Sequence, residues 1–74
     1  METQRIKITT EYLKLDQFLK FSGIAENGAD AKDMILCEIV EVNGEICTMR
    51  GKKLRTGDRV VIHFEDEDYC IEVE

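Results

Sequence analysis

The sequence predicts an α+β fold whose elements run in the order β-α-α-β-β-β, and three observations carry that prediction. A chain of 74 residues has room for one small core. Between Leu15 and Ile35 the apolar residues recur at helical spacing, and from Ile39 onward they recur at every second position. Turn signals at Asn27-Gly28, Asn43-Gly44 and Gly57-Asp58 separate the periodic stretches.

Arg5 to Thr9 reads R-I-K-I-T, with Ile6 and Ile8 on one face and charges on the other, which predicts a half-exposed edge strand. Leu15, Phe18, Leu19 and Ala25 fall at helical spacing, with Asp16 near the start. Gly23, just past Ser22, supplies a stop, so a first helix of about two turns is expected. Ala31, Met34 and Ile35 form the next i, i+3, i+4 set, and Asp30 and Asp33 come early, where the helix dipole favours negative charge. Val40 and Val42 then alternate with Glu41, and Asn43-Gly44 offers the positive torsions of a tight hairpin. Glu45, Ile46 and Cys47 make the returning strand. A strict two-residue turn would set Ile46 on the face of Glu41, so a bulge is expected there and the register stays open. Val60, Ile62 and Phe64 alternate with Arg59, Val61 and His63, and a last hairpin turns at Glu65-Asp66-Glu67-Asp68 and returns through Tyr69, Ile71 and Val73.

Helices this short are marginal alone and must be held by packing on the sheet. The expected core is Leu15, Phe18, Leu19, Met34, Ile35, Val40, Val42, Leu54, Val60 and Ile62, with Phe64 also read as buried. No linker, repeat or low-complexity segment interrupts the order, so residues 1–74 are expected to form a single domain.

The net charge of −6 is unevenly placed. The first 59 residues hold all ten basic side chains and ten of the sixteen acidic ones, and the excess lies in Glu65, Asp66, Glu67, Asp68, Glu72 and Glu74. Arg50, Lys52, Lys53, Arg55 and Arg59 crowd one stretch, relieved only by Asp58. A cationic patch that could face an anion and an acidic end that could not are the result. No run approaches the roughly 18 apolar residues of a membrane span, and no apolar segment follows Met1 and Glu2. A cytoplasmic location without membrane contact is therefore the default expectation. Cys37, Cys47 and Cys70 fit neither a zinc half-site nor a paired disulfide framework, so they are expected to be reduced and to behave as small buried apolar residues. No metal and no cofactor is expected.

Five segments together resemble a known family: Lys14-Leu15-Asp16-Gln17-Phe18-Leu19-Lys20, Gly28-Ala29-Asp30-Ala31-Lys32-Asp33-Met34-Ile35, Val40-Glu41-Val42-Asn43-Gly44-Glu45, Arg50-Gly51-Lys52-Lys53-Leu54 and Gly57-Asp58-Arg59-Val60. In this order and spacing they are similar to the S4 RNA-binding domain, with a motif core at residues 14–62 and an acidic C-terminal hairpin at residues 63–74. Within that superfamily the chain is most similar to small stand-alone ribosome-associated proteins of bacteria. The resemblance implies an αL-type motif: two short helices packed on a small twisted antiparallel sheet, with structured RNA against a helical face and adjoining loops. Carried over by position, it makes Lys14, Lys20, Lys32, Arg50, Gly51, Lys52, Lys53 and Arg55 the RNA-binding candidates. Lys14 stands where many S4 domains carry arginine, Glu38 where a turn glycine is common, and Met49 where the first of two arginines is frequent. Fewer arginines mean less bidentate grip on phosphate.

The function expected is non-catalytic binding of structured RNA, ribosomal RNA or its precursor, by a monomer that could also touch ribosomal proteins. Lys and Arg grip phosphate without reading sequence, and A-form RNA presents backbone and 2′-hydroxyls that a rigid surface can match by shape. Tyr12, Phe21 and Tyr69 form no interleaved basic-aromatic pattern, which argues against a single-strand reader. Arg5, Lys7 and Arg59 are placed outside the contact surface, and Asp58, Asn43 and Gly44 are read as turn residues. An enzyme would need a nucleophile beside a base or paired carboxylates in a cleft, and His63 is the single histidine. The rival from another class is a protein-interaction module that uses the acidic hairpin.

Overall fold

The structure is a computed structural model and describes residues 3–74, so Met1 and Glu2 of the expected domain lie outside the described residues. Two helices and seven strands follow in the order β1 (Thr3–Ile6), β2 (Leu13–Lys14), α1 (Leu15–Phe21), α2 (Gly28–Leu36), β3 (Val40–Val42), β4 (Glu45–Ile46), β5 (Lys53–Leu54), β6 (Arg59–His63) and β7 (Asp68–Val73). The α+β class and the two short helices agree with the sequence reading. Five strands form one sheet in the order β1-β7-β6-β3-β4, and β2 pairs with β5 in a separate two-stranded sheet.

The larger sheet is mixed rather than purely antiparallel, because β1 runs parallel to β7, placing Arg5 opposite Glu72 and Ile6 opposite Val73. Alternation marks a strand but says nothing of its partner's direction, so this pairing was not readable from R-I-K-I-T. Beyond Ile6 the contact continues, with the Ile8 N–H donating to the Glu74 carbonyl at 3.1 Å and the Ile8 side chain buried.

Leu15, Phe18 and Leu19 of α1 and Ala31 and Ile35 of α2 pack with Val40, Val42, Val60, Ile62, Ile71 and Val73 in one buried cluster that also takes in Leu54. Full burial of a side chain such as Phe18 or Leu19 contributes roughly 1.5–3 kcal/mol. Nine of the ten expected core residues are buried, and Met34 is not: it is half-buried and packs at the cluster's margin. The buried stripe of α2 is Ala31 and Ile35, one helical turn apart, and Met34 lies about 100° around the helix from Ile35. Phe64 is also a correction, since it is 37 % exposed. The chain leaves β6 at His63, the Phe64 N–H closes the hairpin onto the Glu67 carbonyl, and the ring rests edge-on against Tyr69. Among the cysteines only Cys70 is buried, while Cys47 is half-buried and Cys37 is exposed just past α2; all three are free thiols.

Asn27 caps α2, its side chain accepting from the Asp30 N–H at 2.9 Å, so the helix starts at Gly28 itself. The β3–β4 turn has no bulge: Asn43 and Gly44 have φ of 53° and 88°, and Glu41 stands opposite Ile46 in a strict two-residue hairpin. Ile46 is accordingly exposed. The tight turn is held from outside, because the Asn43 side chain accepts from the Arg59 N–H at 2.9 Å and donates to Asp58 at 3.1 Å. Asp58 also accepts from the Arg55 N–H at 2.8 Å, which makes it the structural residue of the Gly57 turn.

Candidate nucleic-acid interface

The start of α1 has no side-chain cap; Lys14, at the capping position, is extended and contributes no side-chain hydrogen bond. A helix leaves its first N–H groups without internal partners, and here backbone carbonyls of the basic loop take two of them. The Leu15 N–H donates to the Lys52 carbonyl at 2.8 Å and the Asp16 N–H to the Arg50 carbonyl at 3.1 Å. The loop thus turns its carbonyls toward the positive end of the helix, while Arg50, Lys52 and Lys53 are exposed.

The β2–β5 ladder adds to this arrangement. Leu13 stands opposite Leu54 and Lys14 opposite Lys53. Directly opposed residues of an antiparallel pair project on the same face, so Lys14 and Lys53 set two like charges side by side, an arrangement that disfavours the ladder. The Lys53 ammonium is 4.9 Å from the centre of the Tyr12 ring, whose negative face offsets part of the repulsion. Lys14 and Lys53 therefore stand side by side, and the loop that carries the exposed Arg50 and Lys52 lies with its backbone against the start of α1.

The remaining candidates lie around that surface. Lys20 is in the last turn of α1, about 9 Å of helical rise from Lys14, where a cation also suits the helix dipole. Lys32 is exposed on α2, flanking the buried Ala31. Arg55 follows β5 and is exposed, with its backbone N–H tied to Asp58. Gly51 has no left-handed torsion, and a methyl group added there would meet nothing within 4 Å.

Two features of the surface were invisible in the sequence: the Tyr12 ring beneath Lys53, and a shallow groove beside Lys52. The groove is lined by Val42, Asn43, Glu45, Ile46, Cys47, Thr48, Met49 and Lys52. Strands of two residues show no alternation to read, and the β2–β5 pairing alone brings Tyr12 to Lys53.

On the opposite side of the sheet register, Glu72 has Arg5 as its partner on β1 and Arg59 as its partner on β6. Arg59 Nη2 donates to the carboxylate at 2.7 Å and Arg5 Nε lies 3.5 Å from it. The hydrogen bond from Arg59, reinforced by the two positive charges, holds the Glu72 carboxyl below its ordinary range. Both arginines are engaged within the fold. His63 is engaged as well, with Nε2 against Glu41 and Nδ1 2.9 Å from Asp68. Among the described residues no cluster of three His, Cys, Asp or Glu could hold a metal ion, and no helix is long and apolar enough to cross a membrane.

Fold and surface define a class: a small α+β domain that gathers exposed cations where a two-stranded ladder and a basic loop meet the start of a helix. The S4 domain family matches residues 6–72. The probable ribosome maturation protein RlbA of Bacillus subtilis (strain 168) is 42 % identical over 57 residues, 77 % of this chain and 80 % of that relative. The chain belongs to the S4 domain family.

Proposed function

We propose that this protein binds structured RNA without catalysing a reaction, and that its target is ribosomal RNA or a precursor of it during ribosome assembly. One observation carries the reading: Lys14 and Lys53 are held opposite each other on the β2–β5 ladder, next to a loop that presents Arg50 and Lys52. Like charges so placed weaken the free protein and become favourable when a polyanion lies across them. The S4 family membership and the ribosome maturation named for the relative support the same reading. Lys14, Arg50, Lys52 and Lys53 form the centre of the contact, Gly51 lets a phosphate approach the backbone, and Lys20, Lys32 and Arg55 extend the surface. His63 has both ring nitrogens against carboxylates and offers neither as a base to a substrate.

Co-sedimentation of the protein with ribosomal subunits at low and high salt, before and after nuclease treatment, tests this. Association that falls with salt and disappears with nuclease is expected. Association that survives both treatments would overturn the reading and assign the contact to protein, with the acidic β6–β7 hairpin as its first candidate.

A further inference from the structure

Among the described residues, Phe21, Leu36, Ile46, Met49 and Phe64 are large apolar side chains left exposed. Two of them, Ile46 at 48 % and Met49 at 63 % exposure, line the same groove as Lys52. Their position is held by the backbone. Ile46 belongs to the strict β3–β4 hairpin, and the Met49 carbonyl accepts from both the Lys52 N–H at 3.1 Å and the Cys47 thiol at 3.6 Å. Exposed apolar area is thus presented in a fixed place beside the densest positive charge of the molecule.

We propose that this groove receives the base of one unpaired nucleotide, with the adjoining phosphate on Lys52. The proposal rests on the RNA-binding reading above and adds to it a subsite for a bulged or flipped-out base. A nucleotide combines what the groove offers to meet: a flat apolar face, and a phosphate attached within reach of a cation. A protein segment would meet both features only with an apolar and an acidic side chain set side by side, whereas every nucleotide carries the pair. Methionine suits the role because its unbranched, polarizable side chain adapts to bases of different shape. The Asn43 side chain is engaged with Asp58 and the Arg59 N–H, which leaves the Thr48 hydroxyl and the Glu45 carboxylate as the groove's remaining polar side chains besides Lys52. Glu45 on the rim repels phosphate and leaves Lys52 as the side on which the backbone must run.

The test compares an RNA hairpin carrying a single-nucleotide bulge with the same hairpin fully paired, titrated into the full chain and two variants. The parent is expected to favour the bulged RNA by roughly tenfold, on the scale of covering two partly exposed apolar side chains. Ile46→Thr/Met49→Ser should lose that preference while keeping the paired-duplex affinity and its salt slope. Met49→Arg should lower the preference and raise affinity for the paired duplex. Equal binding of both RNAs by the parent would overturn the subsite and leave the RNA reading intact. A preference that survives the double substitution would overturn the assignment to this groove. Failure of the parent to bind either hairpin would remove the RNA reading itself, and the subsite with it.

Discussion

Gly51 lies in the loop whose carbonyls cap α1, yet its own backbone does not require glycine and the space around it is open. Gly51→Ala should therefore keep the fold, or stabilise it by about 0.4–1 kcal/mol by narrowing the unfolded ensemble. RNA affinity should fall nonetheless if a phosphate approaches that backbone closely. Thermal unfolding and RNA titration of the same variant separate the two effects, and unchanged affinity would show that no such approach occurs. Glu38 is the converse case. It has φ of 61° just past Cys37, the C-cap of α2, a left-handed torsion that glycine accepts freely and glutamate does not. Glu38→Gly should stabilise the protein by up to about 1 kcal/mol in denaturant unfolding. The resemblance marks Glu38 as standing where a turn glycine is common, but the left-handed torsion itself shows only in the backbone. The external roles of Asn43 could not, because its contacts with Asp58 and Arg59 join residues 15 and 16 positions apart.

At the scale of elements, β3, β6 and β7 were legible because each is long enough to alternate and is bounded by a turn with recognisable chemistry. The two-residue strands β2 and β5 were not, and with them went the fact that Lys14 faces Lys53. The candidate cations were readable individually, whereas their convergence depended on a ladder too short to leave a pattern. Lys14→Glu should turn this like-charged pair into an attractive one and place a negative charge at the start of α1. Each change favours the free protein, together by about 0.5–1 kcal/mol. The melting temperature should rise and RNA binding should weaken; a fall in both would mean that Lys14 serves the fold rather than the ligand. The β1–β7–β6 strip makes an independent prediction. The Glu72 carboxyl titrates below its ordinary value of 4.5 when folded, chiefly through its hydrogen bond from Arg59. Its stabilising contribution is fully present above that value and is lost as pH falls through the depressed one. Glu72→Gln should consequently be less stable than the parent at neutral pH, with a gap that closes on acidification. A gap that is constant from neutral to strongly acidic pH would exclude this linkage.

Over the whole molecule, α1 separates two surfaces of opposite sign. Its first N–H groups are held by Arg50 and Lys52, and Ser22 and Gly23 beyond its other end line a groove with Phe64 and Tyr69, at the base of the acidic hairpin. Seven helical residues span about 10 Å, close to one Debye length at physiological salt. Repulsion from the acidic end is thus weakened at the basic loop without being abolished, and a chain of net charge −6 can still attract RNA there. If four phosphates are neutralised, the logarithm of the binding constant should fall against log salt with a slope of about −3 to −4, by analogy with duplex DNA. Replacing Arg50, Lys52 and Lys53 together by Gln should weaken binding strongly and flatten that slope by about three units, one for each lost contact. The fold should survive, because all three side chains are exposed and the carbonyls that cap α1 belong to the backbone. The control removes the same charge at Arg5, Lys7 and Arg59. Since Arg5 and Arg59 hold Glu72, it must be measured well below its own melting temperature. The control should keep the parental slope. Equal losses in both triple variants would mean that attraction comes from net charge and is not sited, and a loop variant that binds like the parent would place the RNA elsewhere on the molecule.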